Sequence, residues 1–599
     1  MNLGLQINRK DLITIVLLAV VFFSIAAWNL GDTQIPTNQT QLTAGESFYI
    51  NLGAPTNTQY LIVLIDLGAY NFTVSTGSPG NWTEVTNYPT PYSSSQWSED
   101  YYVWTEIPVN EITQYLKVDV GPTGPEPSDI VQIAVINQNG QQVNITSITN
   151  VGAGNPEFNN LINQQNLVQY PSDYMQNTYF DEIYFVRTAE GYLHLQSPYE
   201  YTHPPLGKLI QAGGILAFGF NPFGWRIMGV IFATLMIPLI YLLGKKLFNS
   251  WIGGFTSAFL LTFDFMHFTM ARMGTADTYI VFFALAWQLF FLIYLKNVLD
   301  KGWKTSVTPL FLAVVFATLA FSTKWFSLFG ALGALAILVA MRITEVKKLK
   351  GTLTAKFYTL LDRPYSQIVA FVLIGVVIYF IIYIPDMLAG RSFIGVLNLQ
   401  EQMYKYQSKL VATHPFASPW YSWPFMFDPF NKWIPYAGSQ SPFNVHVPLF
   451  LELASLPNGT TSVIVLLGNP ALWWVGFAGI VGLTVFTVPK ILKKRLNFSL
   501  KDNLPAVFIL AIFFFQWLCF IFISRLTFIY HYYECVPFLC LAVAFIVNRY
   551  WNNKWGKILT IAYFVLVVGL FVLFYPIISG APTSNSFINS LQWFKSWVW

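Results

Sequence analysis

Residues 225–244 read Trp-Arg-Ile-Met-Gly-Val-Ile-Phe-Ala-Thr-Leu-Met-Ile-Pro-Leu-Ile-Tyr-Leu-Leu-Gly and run directly into Lys245 and Lys246. A helix rises about 1.5 Å per residue, so a run of about 20 apolar residues crosses the hydrocarbon core of a bilayer. The same pattern recurs along the chain and predicts eleven spans, near 12–29, 225–244, 252–270, 276–295, 307–322, 325–342, 366–385, 470–489, 504–524, 533–548 and 558–577. The composition agrees: of 599 residues, 54% are apolar and only 10% charged, against roughly 25% charged in soluble domains. The chain is therefore expected to be a polytopic α-helical membrane protein. Its first run, Leu12 to Trp28, reads as an anchor, because Ala26-Ala27-Trp28-Asn29 makes a poor leader-cleavage site.

Basic residues orient the spans, since Lys and Arg gather in short cytoplasmic loops. With the N-terminus inside, the inner segments hold 21 of the 33 basic residues, among them Arg9, Lys10, Lys245, Lys246, Lys296, Lys350, Lys356, Arg363, Lys494, Arg495 and Arg549. Residues 30–224, 386–469 and a tail from 578 then lie outside. This predicts a first transmembrane helix over 1–29 and an extracytoplasmic β-rich domain over 30–170. A helical core follows over 171–385 (the second to seventh spans), then an outer loop over 386–469, and the last four spans with a short outer tail over 470–599. In the β-rich part, Tyr60–Ile65, Leu116–Val120 and Ile130–Ile136 read as strands of a small sandwich, separated by turn signals such as Gly121-Pro122. The net charge of +4 is spread between spans, which argues against nucleic acid. Cys519, Cys535 and Cys540 match neither a zinc site nor a disulfide framework, and no Walker or dinucleotide loop is present.

Polar residues at a membrane border are costly unless paired or functional. On the outer side they form clusters. Asp181 and Glu182 lie in a segment read as a helix from a Ser172 cap to about Glu190; adjacent positions point about 100° apart, so one acid can meet a substrate while the other is fixed. Tyr201 to Lys208 contains His203-Pro204-Pro205, where two prolines suit a helix start, followed by an apolar stretch that reads as a surface helix. Arg226, Arg272, Asp277, Lys324, Arg391, His414, Arg525, Tyr530 and His531 complete the set. Acids and cations gathered on one face suit departure of a phosphate, whose growing charge needs positive donors. Taken singly, each border Lys or Arg is explained by snorkelling.

Taken together, these stretches resemble the protein O-mannosyltransferases, the dolichyl-phosphate-mannose-dependent branch (glycosyltransferase family 39) of the GT-C membrane glycosyltransferases. The resemblance rests on Asp181-Glu182, His203 to Lys208, Asn221 to Arg226, Arg272 to Asp277, Lys324-Trp325, Ser418 to Pro424, Leu467 to Pro470 and Arg525 to His531. It implies a GT-C fold of about eleven spans and an active site on the extracytoplasmic face of the cell membrane. The 386–469 loop is too short for the trefoil-type domain of eukaryotic relatives, and the 30–170 insertion departs from the family pattern, so the form is closer to prokaryotic or archaeal relatives.

The resemblance further implies mannose transfer from a polyprenyl phosphate carrier to Ser or Thr hydroxyls of secreted or surface proteins, in one inverting displacement. Asp181 is then the expected base and Glu182 its companion. Lys208, Arg226, Lys324, Arg525 and His531 are expected at the lipid phosphate, with His203, Arg272, Asp277, Arg391, His414 and Tyr530 as further site candidates. No metal is obligatory, although the acids are chemically able to hold a divalent ion; the partners are the lipid-linked sugar, the acceptor, the bilayer and, as the family allows, a second copy. Two other readings stand beside this one: a GT-C transferase with a lipid or glycan acceptor, and a transporter or surface-binding protein. A transporter is expected to place its polar residues in broken helices at the midplane, not at one border.

Overall fold

The computed structural model describes residues 7–67, 71–88, 101–121, 128–151, 157–348, 352, 354, 364–412, 414–429, 446–456, 459–493 and 499–599. Pro122 of the expected turn, and the inner-loop cations Lys350, Lys356, Arg363, Lys494 and Arg495, lie outside the described residues.

Asn8 caps α1 (Arg9–Ala27) through a reciprocal bond pair with Asp11. Eight strands follow: β1 (Thr40–Leu42), β2 (Ser47–Leu67), β3 (Phe72–Ser78), β4 (Asn81–Tyr88), β5 (Val103–Val120), β6 (Ser128–Asn137), β7 (Gln142–Val143) and β8 (Ser147–Asn150). All pair antiparallel, in the order β1-β6-β2-β5-β3-β4, with β7 added to β6 and β8 to β2. In place of two separate sandwich sheets there is one continuous sheet. The reason lies in β2, whose register with β5 shifts between Asn51 and Thr56 and again between Thr58 and Tyr60. Such bulges bend a strand, so the first half of β2 pairs with β8 and the second with β6. Ile50, Leu61, Val74, Ile107 and Leu116 fill the core on one face of the sheet.

The remaining helices are α2 (Glu182–Leu193), α3 (Leu206–Phe218), α4 (Pro222–Phe248), α5 (Trp251–Thr262), α6 (Phe265–Ala271), α7 (Asp277–Lys301), α8 (Thr308–Phe321), α9 (Leu328–Lys348), α10 (Tyr365–Ile381), α11 (Ile384–Leu388) and α12 (Phe393–Lys409), then α13 (Pro470–Lys493), α14 (Leu500–Leu518), α15 (Val536–Tyr550), α16 (Lys554–Ser579) and α17 (Asn585–Ser590). Nine helices among the described residues are long and apolar enough to cross a membrane. The other two expected spans are shorter. The run 252–270 breaks at Asp264, whose carboxylate accepts from His267 N at 3.0 Å and caps α6, and 307–322 forms only the 14 residues of α8. The helix after Pro204-Pro205 is α3, which starts at Leu206.

A second sheet, β9 (Leu449–Ser455), β10 (Thr460–Leu466) and β11 (Thr583–Ser584), ties the 386–469 loop to the tail. The starts of α4 and α7, the end of α8 and the segment before α15 converge beside α2. Leu206 N donates to Ser322 O at 3.2 Å, and the opposite face of the large sheet packs Leu64, Trp104 and Ala134 against Val186 of α2, Ile215 of α3 and Trp225 of α4. The sheet thus backs the helix that carries the acid pair.

Candidate active site

The helix expected to open at Ser172 begins only at Glu182; turns at 174–176 and 180–181 precede it, and the Ser172 hydroxyl accepts from Asn177 at 3.4 Å instead of capping. Phe180 stands in the left-handed region at φ 50°, a conformation that costs a bulky residue about 1–3 kcal/mol and that functional sites retain. It sets the direction of the two acids that follow.

Glu182 is fully buried. Its carboxylate accepts from Arg226 Nε (2.8 Å) and Nη2 (2.7 Å), from Gly274 N (2.7 Å) and from Tyr179 N (3.2 Å). Arg226, also without exposure, gives its other donors to the carbonyls of Leu30, Tyr174 and Asn177. All five guanidinium N–H groups are thereby committed. Arg226, expected at the lipid phosphate, is instead the anchor of Glu182.

Asp181 differs from its neighbour. It occupies the N-cap position of α2 without making a side-chain cap bond, is partly accessible, and has no side-chain hydrogen bond among the described residues. Burial pushes its carboxyl up to about 6, against the pull of the Lys324 ammonium; the charges of Asp277, Glu200 and Arg525 also reach it. Lys324 donates to both oxygens of Asp277 at 2.8 Å, which leaves its third N–H without a partner among the described residues. The ammonium sits 5.3 Å from the Tyr530 ring centre and 5.8 Å from that of Phe185. Arg525 uses one nitrogen to reach Gln407 of α12. Carboxylates and cations from α2, α7, the α8–α9 turn and the α14–α15 segment therefore share one place.

Other expected residues lie around this centre in different roles. Lys208, expected at the phosphate, has all three N–H donors engaged, by Glu200 Oε2 (2.5 Å) and by the carbonyls of Glu200 and His203 (both 2.8 Å). Glu200 also meets His203 Nδ1 at 3.1 Å; burial raises its carboxyl, but Lys208 and His203 outweigh that and hold it well below the usual carboxylate range. Arg272 clamps the carbonyls of Ala26, Trp28, Asn29 and Ser579, joining the ends of α1 and α16. Arg391 pairs loosely with Asp386 at 3.8 Å, and His414 packs on Phe528 at 5.1 Å. His531 stacks between Tyr530 (4.5 Å) and Trp423 (6.1 Å), with Nδ1 turned to the Phe528 backbone.

Glu200, Tyr406 and Gln407 were not anticipated from sequence. Glu200 stands three residues before His203, a spacing that offered a signal. Tyr406 and Gln407 lie more than 200 residues from Asp181 and offered none. Two hollows adjoin the centre. An open cleft of about 430 Å³ is lined by Tyr201, Gln402, Lys405, Tyr406, Lys409 and Leu410. An apolar groove of about 520 Å³ runs between α8, α9 and α10 from Phe321 and Tyr379, past Ala317, Ala331 and Gly375. Among the described residues no three His, Cys, Asp or Glu side chains gather as a metal-holding group.

A bundle of membrane helices with an acid pair and cations at one border, beside an apolar groove, defines a membrane glycosyltransferase of the GT-C class. Comparison supports this reading. Residues 202–361 match the family model of dolichyl-phosphate-mannose-protein mannosyltransferase, and residues 392–597 that of the C-terminal four-helix membrane region of protein-O-mannosyltransferase. The polyprenol-phosphate-mannose–protein mannosyltransferase of Corynebacterium glutamicum is 24% identical over 66% of this chain and 81% of its own. That of Mycolicibacterium smegmatis is 22% identical over 70% and 87%. A protein O-mannosyltransferase complex of S. cerevisiae, solved bound to the sugar donor, shares the fold with a TM-score of 0.57 at 13% identity, over 72% of this chain and 90% of that one. The chain belongs to the protein O-mannosyltransferase family and is a membrane mannosyltransferase.

Proposed function

We propose that the protein moves mannose from a polyprenyl phosphate to a Ser or Thr hydroxyl of a secreted or surface protein, with Asp181 as general base, on the extracytoplasmic face. One observation carries the assignment: Asp181 is partly accessible and makes no side-chain hydrogen bond among the described residues, within reach of the charges of Lys324 and Arg525, while Glu182, the next residue, is locked to Arg226. The acceptor hydroxyl gives its proton to the Asp181 carboxylate as its oxygen bonds to the anomeric carbon. The bond from that carbon to the phosphate oxygen breaks, and polyprenyl phosphate leaves with the electron pair. Lys324 and Arg525 stabilise the charge developing on the leaving phosphate, and Asp277 holds Lys324 in place. Attack and departure on opposite faces invert the configuration.

The groove between α8, α9 and α10 suits an isoprenoid tail, because its outer end adjoins the turn that carries Lys324. The cleft beside α12 offers an entry for the acceptor. Concentration of the basic residues at the other end of the helices supports an N-terminus inside and an active site outside. The test is transfer by purified protein from polyprenyl-phosphate mannose to a Ser/Thr-rich peptide. Asp181→Asn is expected to lower the rate by about 10²–10⁴-fold with melting unchanged. Wild-type rates retained by a folded Asp181→Asn would overturn the assignment, and transfer to lipid extract in preference to peptide would move the acceptor class.

A further inference from the structure

At the end of the helix bundle away from Asp181, a cavity of about 550 Å³ opens between the ends of α4, α7 and α15 and the start of α14. Arg226 and Lys246 stand on the same helix, twenty residues or about 30 Å apart, so the cavity lies across the membrane from the candidate active site. Lys246, Lys296, Lys501 and Arg549 line it, with Asp300 and Asp502 as its acids. Lys296 and Lys246 are half-buried. Lys296 Nζ donates to Asn249 Oδ1 at 3.1 Å and to the Lys246 carbonyl, which draws the end of α7 onto the end of α4. Lys501 crosses to Asp300 at 2.9 Å, and Arg549 is exposed with no ion pair among the described residues.

A lone border lysine snorkels to water, and that accounts for most cations near a membrane. Here four cations from four helices face one hollow, outnumber its acids by two, and two of them are only half exposed. Like charges held together repel, and a bound anion relieves that repulsion. The wall is also partly apolar, through Phe248, Leu504 and Phe545. A soluble anion makes no use of such a wall, whereas the glycerol backbone and first methylenes of a lipid do. We propose that this cavity binds the phosphoryl headgroup of an anionic phospholipid from the leaflet opposite the active site, with Lys246 and Lys296 as its principal cations.

The test uses full-length protein purified in mild detergent and measured by native mass spectrometry with phosphatidylglycerol or, separately, phosphatidylcholine. Wild type is expected to retain one phosphatidylglycerol, and the K246Q/K296Q double variant to bind it about tenfold more weakly, the effect of one or two lost charge-assisted hydrogen bonds. Retention should fall with added NaCl. Inorganic phosphate that raises the melting temperature of wild type but not of the variant, with no lipid retained, would keep the anion site and overturn its lipid source. Equal phosphatidylglycerol retention by wild type and variant, or no preference over phosphatidylcholine, would overturn the proposal. Should the double variant misfold, Lys501→Gln with Arg549→Gln carries the same comparison, since both side chains are exposed.

Discussion

Asp181 and Glu182 are neighbours in sequence, yet their partners set them to different tasks. Glu182 is spent on structure: four hydrogen bonds and a fully buried guanidinium fix it. Removing one member of such a buried pair strands the other's charge. Glu182→Ala is therefore expected to cost about 3–5 kcal/mol, read as lost melting temperature and poor yield. Asp181→Asn should leave melting unchanged and remove transfer. Because burial raises the Asp181 carboxyl to about 6, the base is ionised above that pH and protonated below it. The rate of transfer is expected to fall on acidification through about pH 6. Lys324 pulls the Asp181 carboxyl downward, so Lys324→Gln should move this acidic limb toward higher pH as well as lower the maximum rate. A Lys324→Gln limb that stays in place would argue against the two groups acting on each other.

Elements matter here through their ends. Helix α3 starts where Pro204-Pro205 allow it, and Leu206 N then binds the end of α8. At Gly207 this approach leaves no room: a Cβ would lie 2.7 Å from Ala276 Cβ and 3.3 Å from Thr323 Cγ2. Gly207→Val is expected to destabilise by about 1–3 kcal/mol, and, since Thr323 precedes Lys324, to slow transfer beyond the loss of folded protein. Melting and rate per folded molecule, measured together, check both parts. Helix α2 is held by the large sheet through Val186 and Ala189, and by Tyr101, two residues before β5, whose hydroxyl donates to Glu190. The sheet is thus a structural wall of the acid-bearing helix.

For the whole molecule, the bilayer divides the work. One border carries Asp181 with the cations proposed for transfer, the apolar groove opens beside it between α8, α9 and α10, and the opposite border carries the cationic cavity. If the groove takes the isoprenoid tail, filling it should harm long carriers selectively. Ala317→Phe is expected to raise KM about tenfold for a long-chain polyprenyl-phosphate mannose, the loss of roughly two buried methylenes. A short-chain donor that does not reach the groove should be unaffected, and an equal effect on both would place the tail elsewhere.

The membrane class was legible in sequence because a helix in lipid must be apolar over a fixed length, and that length is local information. Nine long helices follow the expected runs, and the start of α3 follows its prolines. The clusters Asp181-Glu182, Lys324 and Arg525 to His531 were likewise visible as polar exceptions in apolar surroundings. Which of the cations were already spent was not visible. Arg226 and Lys208 look in sequence like candidates for a phosphate and Arg272 like a further site residue, and only folding brings to them the carbonyls of Leu30, Glu200 and Asn29. The bending of β2 has the same origin, since β6 and β8 lie far along the chain, and the break at Asp264 shares it in part: His267 N is a local donor, but Asn469 N and Trp473 Nε1 also donate to that carboxylate. The apolar runs alone fix which residues lie at a membrane border. Which of those still have a hydrogen bond to give was settled by packing, which brings Glu200 onto Lys208 from eight residues away and the Leu30 carbonyl onto Arg226 from 196.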